Sequence, residues 1–148
     1  MNKLKQILPI LLLLILASCN SQKIYSDYDY SYSRSGGLDP VYENFLIKDG
    51  TAHYYYEGQG KKIKKDFKIS DAELRELDNL LTANNFRMIQ EDYKKVYDYI
   101  GTTIAVKKGP NASSKSDASF IMPKDQQRWN NVVRGFQDLL NAKLAGTK

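Results

Sequence analysis

The chain is poor in the residues that build catalytic and metal centres. Its 148 residues include one cysteine, one histidine and one tryptophan. A single cysteine forms no internal disulfide, so the fold must be held by its core. A single histidine, His53, excludes metal sites built on two or three imidazoles. The H-E-x-x-H, G-x-S-x-G and phosphate-loop patterns are all absent. Gly58-Gln59-Gly60 is too short to cradle a phosphate and reads better as a turn. Long apolar runs are equally scarce. Ile7 to Ala17 is apolar throughout, with Pro9 inside it. It is too short for a bilayer, which needs about 20 such residues. Excess charge is small as well. The net charge is +5, and Lys3 and Lys5 carry two of the positive charges. That excludes the dense positive field of a dedicated nucleic-acid binder. No cofactor-binding motif and no metal-ligand spacing stands out.

What is present begins with an address. The apolar run follows Lys3 and Lys5, and small residues follow it. That is the layout of a secretory signal peptide. Leu16-Ala17-Ser18-Cys19 then resembles the lipobox of bacterial lipoproteins: an aliphatic residue, two small ones and an obligatory cysteine. The resemblance implies that residues 1–18 are removed, that the Cys19 sulfur receives a diacylglycerol, and that the new amine is acylated, commonly with palmitate. The competing reading is a plain secretory leader that happens to carry a cysteine. One acyl chain holds a protein only marginally at a bilayer, whereas two or more hold it stably. The expected site is therefore the cell envelope, with the membrane as the first partner, reached through Cys19. Asn20 stands where some inner-membrane lipoproteins carry aspartate, so the outer membrane is favoured.

Residues 20–39, NSQKIYSDYDYSYSRSGGLD, have few aliphatic side chains and no helical period. Together with Cys19 they read as a flexible tether, with a reach on the order of 25 Å. The alternation of Tyr28, Tyr30 and Tyr32 with Asp and Ser is also compatible with a strand. Asp27 and Asp29 are too few to form a calcium loop.

From residue 40 to 148 the pattern is that of a single α+β domain. Val41–Lys48 reads as a strand, Asp49-Gly50 as a two-residue hairpin turn, and Thr51–Glu57 as the returning strand. Pairing Lys48 with Thr51 sets Phe45 against Tyr54 and Ile47 against Ala52 on one face. A second turn at Gly58-Gln59 leads into Lys61–Ile69 and sets Tyr54 against Ile63. The opposite face collects Asn44, Leu46, His53, Tyr55, Lys62, Lys64 and Lys68. Ser70-Asp71-Ala72-Glu73 is a capping box, opening a helix over 71–83 whose leucines repeat at steps of three and four. Asn84-Asn85 ends it, and Phe86 is expected to tuck under the core.

Tyr93–Tyr99, Thr102–Lys108 and Ala118–Met122 read as three further strands, with 109–117 as a plain loop. Trp129, Val132, Val133, Phe136, Leu139, Leu140 and Leu144 mark the final helix, which Pro123 opens and Gly146 closes. The expected order is β-β-β-α-β-β-β-α: an antiparallel sheet of five to six strands with two helices packed on one face. The DG hairpin, Ile69-Ser70-Asp71-Ala72-Glu73-Leu74, Asp98 followed by Gly101-Thr102, and the tryptophan-led last helix resemble small uncharacterised domains of envelope lipoproteins. That resemblance implies no activity.

The expected function is a non-enzymatic binding or accessory module. Its candidate face holds His53, Tyr55, Lys62 and Lys64, where aromatic and basic side chains lie together. The partner would be an envelope protein or, second, an anionic glycan or lipid. The alternative weighed is an inhibitor or immunity protein against an envelope hydrolase, whose mild positive charge would suit an acidic target. A hydrolase using His53 with a serine and an aspartate, or carboxylate chemistry at Glu91, Asp92 and Asp98, lacks any local motif. The oligomeric state is not legible.

Overall fold

The computed structural model describes residues 27–94 and 98–146. The leader, Cys19 and the first residues of the tether lie outside this range. The architecture is α+β. Strands β1 (Tyr30–Gly36), β2 (Val41–Lys48), β3 (Thr51–Gly58) and β4 (Lys61–Lys68) precede helix α1 (Asp71–Ala83). Strands β5 (Ile100–Val106) and β6 (Ser113–Ser116) then lead to helix α2 (Gln126–Ala145). The six strands form one sheet in the order β4-β3-β2-β1-β5-β6, antiparallel at every junction.

The first correction concerns the tether. Tyr30–Gly36 is not a linker but a central strand, paired with β2 on one side and β5 on the other. Its burial comes from tyrosines in place of aliphatic residues. Tyr32 is 1% exposed and sits between Phe45 and Ile104. Its ring stacks on Phe136 of α2 at 6.1 Å, and its hydroxyl accepts a hydrogen bond from Gln137. Tyr30 donates to Asp78 of α1 at 2.8 Å. Each phenol thus buries a ring and still satisfies its oxygen.

The first hairpin has the expected register, with Lys48 opposite Thr51 and Phe45 opposite Tyr54. Asp49 and Gly50 both take positive φ, as a two-residue turn between twisted strands requires. The second turn is displaced. Gln59 and Gly60 occupy it, so Gly58 pairs with Lys61 and Tyr54 meets Lys65 instead of Ile63. The shift is two residues. Because side chains alternate with period two, every residue keeps its expected face.

The C-terminal strands are also redistributed. The observed order is β-β-β-β-α-β-β-α. No strand forms over the described part of Tyr93–Tyr99, and Gly101 lies inside β5 instead of before it. A Cβ on Gly101 would stand 2.9 Å from Ala118 Cβ, so glycine allows the next segment to pack there. The stretch expected as a loop contains β6, and Ala118–Met122 contributes only a bridge from Ile121 to Glu91.

Both helices cover the same face. Ser70 caps α1 by accepting from the Glu73 N–H, and the Glu73 carboxylate accepts from the Ser70 N–H. Leu77 and Leu81 enter the core, joined by Phe86 in a short 3-10 turn. From α2 come Trp129, Val132, Phe136 and Leu140. Pro123 begins a 3-10 turn that runs into α2. The indole N–H of Trp129 donates to Asp117, which also accepts from the Thr102 N–H. Asp125 is buried and holds Arg128 and the Gln90 N–H.

Candidate functional site

Among the described residues, no helix covers the second face of the sheet. On it β1 presents Ser31, Ser33 and Ser35, and β2 presents Tyr42, Asn44 and Leu46. Residues His53, Tyr55 and Glu57 of β3 stand opposite Leu46, Asn44 and Tyr42. The lysines of β4 complete it, with Lys64 opposite Tyr55 and Lys62 opposite Glu57.

A solvent-facing sheet is ordinarily flat and wet. Here Leu46 is only 6% exposed and Ser31 only 7%. Aromatic side chains line the same groove. Tyr28, Tyr42 and Tyr55 form walls, and Ser31, Asn44 and Leu46 form a floor. Glu57 and Lys64 complete the rim of a groove of about 540 Å³. That volume lies in the range of small-ligand sites.

The walls are braced. Tyr42 and Tyr55 meet edge to face at 5.7 Å. The ammonium groups of Lys62 and Lys64 each lie 5.6 Å from the Tyr55 ring centre. The Tyr55 hydroxyl donates to Glu57, and Lys62 pairs with the same carboxylate at 3.5 Å. The bond to Glu57 holds the Tyr55 phenol above its ordinary range and holds the Glu57 carboxyl below its own. Hydrogen bonding to Tyr55 raises the Lys62 ammonium. Near neutral pH the wall is therefore a neutral phenol between a carboxylate and an ammonium. On the far side, Lys107 lies 3.9 Å over the Tyr28 ring. Asp29, next to Tyr28, is tied to Lys108 at 2.8 Å and to Lys48 at 3.8 Å.

Of the four residues expected at the site, Tyr55 and Lys64 line the groove. Lys62 supports it from outside through Glu57. His53 faces the same side but is not part of the lining, and its Nδ1 lies 2.6 Å from Asp66 on β4. Sequence reasoning missed Tyr28, Ser31, Tyr42 and Glu57. Two of these fall within the segment read as a tether. Among the described residues, no group of three or more His, Cys, Asp or Glu is placed to hold a metal ion, and no helix is long and apolar enough to cross a membrane. Glu91 is engaged with the Ser116 N–H and Asp92 with Lys94, each in its own local contact.

No family model matches this chain, and no curated protein matches its sequence.

Proposed function

We propose that this chain is a lipid-anchored lipoprotein of the cell envelope, with the outer membrane favoured, and that its folded domain is a non-enzymatic binding module. Acyl chains on Cys19 supply the membrane attachment. Residues 20–29 then join the anchor to β1 and span at most about 36 Å when extended. The uncovered sheet face is the contact surface, and it meets an envelope partner.

The observation that carries this reading is the groove between Tyr28, Tyr42 and Tyr55, on the face opposite the two described helices. Three aromatic rings held around a partly dry floor are an unusual use of a solvent-facing sheet. They are the residue types that dominate recognition surfaces. The arrangement does not resemble a catalytic one. His53 sits outside the groove, bonded to a carboxylate that is itself largely exposed.

Joint alanine substitution of Tyr55, Lys62 and Lys64 tests the reading. Crosslinked envelope material should no longer be recovered with the variant from native membranes, while its far-ultraviolet spectrum and melting stay close to those of the parent. Undiminished recovery rejects the face. Mass spectrometry of protein from the native host tests the anchor: Cys19 should carry acyl chains and be the first residue.

A further inference from the structure

The groove's chemistry narrows what it can hold. The strands that carry its floor and walls, β1, β2 and β3, are each paired on both sides, so their backbone groups are already used. An extended peptide laid across this face cannot join the sheet as a new strand. Recognition falls to side chains alone.

The charged side chains stand at the rim and behind the walls, not on the floor: Glu57 is countered by Lys62, Lys64 stands beside Tyr55, and Lys107 lies over Tyr28. A polyanion such as a phosphate-rich headgroup would meet the Glu57 carboxylate at the rim and no cation on the floor. The floor instead offers uncharged hydrogen-bonding groups beside an aliphatic one. Ser31 stands opposite Leu46 across the β1–β2 ladder, and Asn44 lies two residues along β2 on the same face. Neither the Ser31 hydroxyl nor the Asn44 amide is bonded to another group among the described residues. Leu46 is close to fully buried between them.

An acetamido group matches that floor. Its methyl needs an apolar contact, its N–H an acceptor and its carbonyl a donor. Leu46, Ser31 and Asn44 supply these side by side. The sugar ring that carries it presents C–H groups to an aromatic face and hydroxyls to its rim. Tyr42 and Tyr55 provide the rings, and Glu57 and Lys64 the polar rim. We propose that this groove binds an N-acetylated hexosamine saccharide, with the acetamido group on the Ser31–Asn44–Leu46 floor and the sugar against Tyr42 and Tyr55. The inference rests on the open face being the contact surface, and it adds the ligand class.

Calorimetric titration of the mature lipidated protein in detergent micelles tests it. The probes are the β-1,4-linked tetramer of N-acetylglucosamine, the corresponding glucose tetramer, and inositol hexakisphosphate. The N-acetylglucosamine tetramer should bind saturably, and the glucose tetramer at least about tenfold more weakly. Asn44→Ala and, separately, Tyr42→Ala should each weaken binding by about tenfold. Tyr42 is 52% exposed, so its replacement leaves the core untouched even if Asn44→Ala proves unstable. No saturable response to the N-acetylglucosamine tetramer at about 10 mM overturns the inference. So does equal binding of the glucose tetramer, stronger binding of the hexakisphosphate, or indifference to both substitutions. If the wild-type face captures an envelope protein while ignoring the tetramer, the saccharide falls and the contact surface stands. If the triple alanine variant still captures its envelope partner, the contact surface itself falls.

Discussion

Ser31 and Tyr32 are neighbours on β1, and they serve two different surfaces. Tyr32 points into a layer closed by helices, where it stacks on Phe136 and is 1% exposed. Ser31 points to a face that no helix among the described residues covers, yet it is 7% exposed. The covered face is dry because another layer of secondary structure lies on it. On the open face the low exposure of Ser31 and Leu46 goes with a groove that Tyr28, Tyr42 and Tyr55 line. The first arrangement buries apolar area continuously and supports the fold. The second leaves a concavity whose floor is shielded but reachable. The contrast separates residues that hold the protein together from residues free to recognise something else.

Substitutions on the covered face should have the largest effects. Phe136→Ala removes a fully buried ring and its stack on Tyr32, and should lower stability by about 3–5 kcal/mol in urea denaturation. Asp117→Ala should cost about 1–3 kcal/mol, because the Trp129 N–H and the Thr102 N–H both lose their acceptor. Ser70→Ala should cost about 1 kcal/mol by removing the cap of α1. On the open face, Tyr42→Ala and Asn44→Ala should stay within about 0.5 kcal/mol of the parent. A large loss at either position would mean that the groove is part of the fold's support, and the contrast between faces would dissolve.

Acid provides a further comparison. The Glu73 carboxyl is held below its ordinary range, first by Lys143 of α2 and then by the Ser70 N–H. For Asp125, burial pushes the carboxyl up, but the bond to Arg128 and the Gln90 N–H together outweigh it and leave it lowered. A folded value below the unfolded one means stability that is complete above the unfolded value and is lost as pH falls through the folded one. Melting temperature should therefore drop below about pH 4, and Glu73→Gln should flatten part of that drop. An acid limb unchanged in the variant would show that the ion pair between the helices contributes nothing measurable.

The elements legible in the sequence were those with local signals. Asp49-Gly50 set the first hairpin and its register, and the Ser70–Glu73 capping box set the start of α1. The leucine and aromatic steps of α2 marked its buried side. Strand β1 was only half legible: the alternation of Tyr30 and Tyr32 with serine fits a strand, but a central strand would ordinarily carry valine or isoleucine, and their absence favoured a tether. Strand β6 has no apolar residue and exists through its ladder to β5, which leaves no pattern to read. The groove was half legible for the same reason. Tyr55, Lys64, Asn44 and Leu46 share a face by simple alternation, whereas Ser31 and Tyr28 join them only once β1 is known to pair with β2.

Site-specific photocrosslinking in the native envelope would decide most directly whether the open face is where this protein meets its partner. A photoreactive residue in place of Tyr42, on the groove, should give adducts with envelope protein or glycan. The same probe in place of Arg134, on the solvent side of α2, should give few. Adducts concentrated at position 134, or equal at both positions, would contradict the account.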